Sequence, residues 1–240
     1  MKNIIDLLLN FLTNDSFVVS WYVSGLILAI WVIYDLFYVN TAVNKSLKAG
    51  WPIIFIFFSV VGLLLYLLTC RPNGLSFVRP KVNKKISEEK FHHRYVSGTV
   101  SKITGSVIHC IAGDGLGIMT AMVIGRYMGL NFWSEFTAEY IAGFLFGWIL
   151  FQYTAMRSMG NSPSQALWKG GRAEFFSMIT LMSGMLLTAK LIQPLIISPP
   201  PLPYTYAFWG IALLALFIGT IITYPMNWWL VSIGWKHGMA

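Results

Sequence analysis

Phe17-Val-Val-Ser-Trp-Tyr-Val-Ser-Gly-Leu-Ile-Leu-Ala-Ile-Trp-Val-Ile-Tyr-Asp-Leu-Phe-Tyr-Val39 decides the fold class. The run is continuously apolar and carries one charged residue, Asp35. A helix rising about 1.5 Å per residue over this stretch is long enough to cross a hydrocarbon core of about 30 Å. A barrel strand would instead alternate polar and apolar residues over about ten positions. Comparable runs recur at Trp51–Thr69, Ile103–Tyr127, Phe132–Tyr153, Ala173–Ile192 and Tyr206–Trp228. The expected fold is therefore an all-α membrane protein, a bundle of about six transmembrane helices forming one domain over 15–240. Composition agrees: 56% of the 240 residues are hydrophobic and 11% charged, against about 25% charged in soluble domains.

Outward from these runs, residues 1–14 hold Ile4, Ile5, Leu8, Leu9 and Leu12 and no cleavable signal pattern. They read as an interfacial helix lying on the bilayer. Net charge is +8, and much of the basic charge falls in one loop, 70–102. Arg71, Arg79, Lys81, Lys84, Lys85, Lys90, Arg94 and Lys102 stand there against Glu88 and Glu89. Basic loops stay on the cytoplasmic side, so both termini are expected in the cytoplasm, with Lys45 and Lys48 in dissent on the outer side. That loop reads as a solvated charged segment, His92 and His93 included. Nothing resembles a nucleic-acid module, so the expected partners are the lipid bilayer and a small ion, with a homo-oligomer plausible for so small a bundle. Cys70 and Cys110 do not suggest a disulfide framework.

Chemistry concentrates in two segments. The third reads Ile108-His-Cys-Ile-Ala-Gly-Asp-Gly-Leu-Gly117. Ionisable residues inside a membrane are rare and face the bundle interior, so His109, Cys110 and Asp114 within six positions mark a candidate site. Ser106, Cys110, Asp114 and Gly117 share one face, while His109 points about 100° away. Gly113, Gly115 and Gly117 predict a local break that would free carbonyls and re-aim these side chains. In the fifth segment Glu174, Met178, Met182 and Met185 fall within roughly an 80° arc. Thioethers suit Cu(I). A methionine stripe at helical spacing is more often packing. Met119 and Met122 lie on the face opposite Cys110 and stand outside this set.

The fourth segment offers Glu139 beside Glu135, together with Gly143-x-x-x-Gly147, which permits close helix approach. Glu139 would serve as an ion-entrance or proton-carrying position, or pair with Arg126 or Lys190. Asp35 is a second such position, or reaches toward headgroups. Pro225 is expected to kink or end the last helix, with Asn227 satisfying freed carbonyls or joining a polar site.

These motifs, with Glu139-Tyr-Ile-Ala-Gly-Phe-Leu-Phe-Gly-Trp-Ile-Leu-Phe-Gln152 and Tyr224-Pro-Met-Asn-Trp-Trp-Leu-Val-Ser-Ile-Gly-Trp-Lys-His-Gly-Met239, resemble a bacterial multi-pass inner-membrane family described only as a domain of unknown function. The resemblance runs from Trp51 to the end. It implies a His-Cys-x-x-Gly-Asp motif and a Glu-x3-Met-x3-Met-x2-Met motif in a multi-helix protein of the bacterial inner membrane, and supplies no activity. This chain departs from the pattern at Ala173, where Pro often precedes the glutamate in the family it resembles.

The function expected from these residues is transport or binding of a transition-metal ion, copper(I) favoured. Its metal ligands would be His109, Cys110, Asp114, Glu174, Met178, Met182 and Met185. Zinc or manganese would use the imidazole and carboxylates and leave the methionines as packing. A proton-coupled solute transporter or channel would use the same acids as a relay, and a structural or assembly subunit would use them only for helix packing. An enzyme is less favoured, because adjacent His109 and Cys110 point apart and no oxyanion hole or phosphate loop accompanies them.

Overall fold

The computed structural model describes residues 11–71 and 97–236. Residues 1–10 of the expected interfacial helix and 72–96 of the basic loop lie outside the described residues. The described chain runs α1 (Asp15–Tyr38), α2 (Lys45–Thr69), α3 (Thr99–Tyr127), α4 (Phe132–Leu145), a π-helical stretch (Phe146–Tyr153), α5 (Thr154–Ser158), α6 (Pro163–Leu187), a second π-helical stretch (Thr188–Ile192), α7 (Gln193–Ile196) and α8 (Tyr206–Ser232). It is an all-α membrane fold.

Five helices among the described residues are long and apolar enough to span a bilayer. The expected span at Phe132–Tyr153 differs. It is helical throughout, but its hydrogen bonding changes from α to π at Phe146, so no single regular helix covers it. Single π turns inside helices re-aim side chains and gather at functional positions.

α3 is the centre of the bundle. It packs against α2, α4, the first π stretch, α6 and α8, and every residue from Ile103 to Gly115 is buried. Its small residues explain the closeness. A Cβ added at Gly113 would meet the Gly147 Cα at 2.8 Å, and one at Gly117 would overlap the Ala142 carbonyl. Two Gly-x-x-x-Gly stretches, 113–117 and 143–147, thus face each other, as close transmembrane packing requires. Gly184 of α6 meets Gly219 of α8 in the same way.

Two expectations about breaks are corrected. α3 is continuous through Gly113, Gly115 and Gly117, because these residues serve contact with neighbours rather than local bending. α8 does not end at Pro225 but runs on to Ser232 with the proline inside it. The irregular position is Ser59 in α2, whose φ of 43° is left-handed, an uncommon conformation for a residue with a side chain. There Ser24 and Ser59 hydroxyls lie 2.7 Å apart. The Trp21 indole donates to the Phe57 carbonyl at 3.0 Å. Neighbouring α1 therefore satisfies polar groups that the irregularity turns away from the helix.

Asp35 does not reach toward headgroups. It is buried and accepts from Arg71, with Nη2 to Oδ1 at 2.6 Å and Nε to Oδ2 at 2.9 Å. The Tyr66 hydroxyl donates to its Oδ2 at 2.6 Å. A buried carboxylate needs such partners, and here they tie the end of α1 to the end of α2.

Candidate functional site

Cys110 and Asp114 sit one turn apart on α3 and so share a face. Glu174 and Ser177, three residues apart, share a face of α6. The two faces meet, and all four residues are buried. The Cys110 Sγ lies 3.2 Å from Asp114 Oδ2, 3.3 Å from Glu174 Oε1 and 3.3 Å from Ser177 Oγ. One ligand atom from each of Cys110, Asp114 and Glu174 falls within 4.8 Å of the others.

Room for this convergence comes from the π stretch. A Cβ at Gly147 would overlap Asp114 Oδ1 and lie 2.6 Å from Glu174 Oε1. Only a glycine lets two carboxylates sit over that backbone. Gly147 thereby links the tight seam of α3 with the chemistry of the cluster.

A cation completes the group. Gly234 follows α8 with a φ of +71°, turning the chain so that the Lys236 amide bonds back to the Leu230 carbonyl at 3.0 Å. Trp235 packs near Phe176 and Trp229, and the Arg172 guanidinium lies 3.9 Å over its ring. With Trp235 anchored, the next side chain enters the bundle. Lys236 Nζ donates to Asn227 Oδ1 at 2.6 Å and reaches Ser177 Oγ at 3.5 Å. Asn227 in turn donates to the Thr223 carbonyl one turn before it at 3.0 Å, which is not the Ile221 carbonyl that Pro225 leaves without its helical donor. Burial by itself would lower the Lys236 pKa, but Cys110, Glu174 and Asp114 outweigh it and hold the ammonium above the ordinary lysine range.

The balance of donors and acceptors gives the cluster its chemistry. One thiol proton faces oxygens of Asp114, Glu174 and Ser177, and Asp114 Oδ1 accepts from no donor. Ser177 spends its own proton on the Ala173 carbonyl at 3.1 Å. With the thiol and both acids deprotonated, the ligands would carry three negative charges against one positive charge on Lys236. Such a group, buried and rich in acceptors, is suited to hold a proton or a metal cation.

The structure divides the ligand set expected from sequence. Cys110, Asp114 and Glu174 converge. His109 is fully buried but turned away: its ring packs edge-on to Phe151 at 5.1 Å, and both ring nitrogens lack hydrogen-bond partners. Met178, Met182 and Met185 are all buried and climb α6 away from Glu174. A Cβ at Gly143 would lie 2.5 Å from the Met178 methyl and 3.3 Å from the Asp114 carbonyl oxygen, so this methionine packs against α4 near the Asp114 backbone. Met185 lines a cleft at the opposite end of α6, together with Glu139. The pairings weighed for Glu139 are not made. Arg126 bonds Glu135 at 2.5 Å, and Lys190 Nζ stands 3.3 Å over the Phe132 ring.

Sequence reasoning missed Lys236, Ser177 and the role of Gly147. Ser177 was visible as the residue three after Glu174. Lys236 has no helical periodicity to place it, and only the glycine two positions before it hints at a reversal.

The family described as Domain of unknown function (DUF4396) matches residues 100–236, and the chain belongs to it. The matched segment runs from α3 through Lys236 and so contains every member of the cluster. Nothing among the curated proteins or the solved structures matches the chain.

Proposed function

We propose that this member of the DUF4396 family binds a transition-metal ion within a bacterial inner membrane and carries it across. Cys110, Asp114 and Glu174 would be its ligands, and copper(I) is the favoured ion. The observation that carries the reading is the convergence of three buried ligand atoms from two helices within 4.8 Å, in a setting where buried charge is costly unless it works. Copper is favoured because thioethers continue the site. Met178 and Met182 rise from Glu174 on the same buried face of α6, and thiolate and thioether are soft donors. A harder ion such as Zn²⁺ or Mn²⁺ would rest on Cys110 and the two carboxylates alone.

Binding would be coupled to protons. Ligands must lose their protons to bind a metal, and Lys236 supplies one fixed positive charge beside them. Arrival of a cation would displace protons from the thiol and carboxylates, and reprotonation would favour its release. Lys236 would then limit how much negative charge remains when the ion leaves.

The test is flux in proteoliposomes. Wild-type protein should move Cu(I) under reducing conditions with an opposed or accompanying proton flux, and Cys110→Ser should abolish both. Undiminished copper flux in Cys110→Ser would overturn the assignment.

One observation favours a second reading. The two adjoining carboxylates and the lysine would serve a proton relay for an organic solute without any metal. That reading expects Met182→Leu to be silent and Asp114→Asn to stop transport, whereas the metal reading expects both to weaken it.

A further inference from the structure

At the end of the bundle opposite Lys236, a cleft of about 60 Å³ opens between α3, α4, α6 and α8, room for an ion and a few waters. Glu139, Glu135, Arg126, Met122, Met185 and Gln193 are among its lining. Glu135 is neutralised by Arg126 at 2.5 Å. Glu139 is different. It is only 6% exposed, lines the cleft, and makes no hydrogen bond or ion pair among the described residues. A carboxylate so deeply buried without a partner is costly. Two thioether residues share the lining with it and come from different helices, Met122 from α3 and Met185 from α6.

We infer that this cleft is a second cation site, in which Glu139, Met122 and Met185 take a soft monovalent ion before or after it occupies the Cys110 cluster. The inference rests on the metal reading above and extends it. One unpaired carboxylate matches one positive charge, and two thioethers select a soft ion over Na⁺ or K⁺. The site also accounts for Met185, which is too far along α6 to join Glu174. The buried methionines Met178 and Met182 lie between the two ends of α6, so a soft ion would meet sulfur at each level on its way.

Ag(I), a redox-inert stand-in for Cu(I), separates the two sites. The full-length protein in detergent is titrated calorimetrically with Ag(I), with size-exclusion elution and thermal unfolding recorded for every variant. Wild type should bind two ions, Cys110→Ser one, and Cys110→Ser/Glu139→Gln none. Met122→Leu/Met185→Leu, which preserves size and removes only sulfur, should also abolish the ion that Cys110→Ser retains. Glu139→Asp should keep it. If Cys110→Ser binds no Ag(I), or if its remaining ion survives both Glu139→Gln and the methionine pair, the cleft is not a cation site. If instead Cys110→Ser still binds two ions and Glu139→Gln binds one, the cleft stands and the Cys110 cluster falls.

Discussion

At Cys110 a single thiol faces three oxygen-bearing side chains, and its substitution separates packing from ligation. Cys110→Ser keeps the size and a donor, so it should leave the folded protein intact while removing the soft-metal ion of the cluster; size-exclusion elution and the number of bound copper ions measure the two effects. Gly147→Ala works the other way. Its methyl would occupy the space of Asp114 Oδ1 and crowd Glu174, and overpacking of this kind costs about 1–3 kcal/mol. We expect a lower unfolding temperature together with lost metal, and an unchanged ion affinity in this variant would show that the carboxylates do not need their present positions. Asp35→Asn is the control. It breaks a buried ion pair with Arg71, which costs about 3–5 kcal/mol, yet lies outside the cluster. Stability should fall steeply while any folded protein still binds metal with wild-type stoichiometry.

Lys236 gives a pH dependence with a definite sign. Its ammonium is held above the ordinary lysine range by the acids and thiol facing it. Its contribution to stability is therefore complete below the ordinary lysine pKa and disappears as pH rises through the raised value. Thermal unfolding followed between neutral and strongly alkaline pH should show an alkaline loss that Lys236→Met reduces. Equal alkaline loss in both proteins would assign the effect to other groups.

Among the elements, α6 bears the most specific expectation. Its buried face presents Glu174, Met178, Met182 and Met185 in sequence. Leucine replaces methionine in a core at under about 1.5 kcal/mol, so Met178→Leu/Met182→Leu should fold normally and bind Cu(I) more weakly than Zn²⁺ relative to wild type. An unchanged preference would make this stripe packing alone. The stripe and the carboxylate are readable from the 3.6-residue period, and the runs that form α1, α2, α3, α6 and α8 from their continuous apolar length. What local pattern could not convey is the partner. Gly113, Gly115 and Gly117 suggested a break because glycine weakens an isolated helix, yet tertiary contact with 143–147 keeps α3 continuous. The π stretch at Phe146 and the irregular Ser59 have no equivalent sequence signal, since both depend on what a neighbouring helix offers.

For the whole molecule, α3 is a buried, glycine-rich axis wrapped by its neighbouring helices, and the bundle places distinct chemistry at two levels. Near the Lys236 end are Cys110, Asp114, Glu174 and Ser177; toward the far end are Glu139, Met122 and Met185, with buried methionines between. The meeting of α3 and α6 lay beyond sequence, because the seven expected ligands gave no sign of which would converge. His109 stands next to Cys110 in the sequence, but helix phase turns it onto Phe151. Lys236 entered through a chain reversal at Gly234 that no periodicity describes.

The most direct test is the metal content of the full-length, detergent-solubilised protein after loading with Cu(I), Zn²⁺ and Mn²⁺ under reducing conditions, read by mass spectrometry. Wild type should retain copper in preference to zinc and manganese. Cys110→Ser should lose the ion of the cluster, and Glu174→Gln should lose it as well while eluting as a folded protein. Wild-type protein that retains no metal, or variants that retain as much as wild type, would contradict the account and leave the buried acids to proton transfer or helix packing.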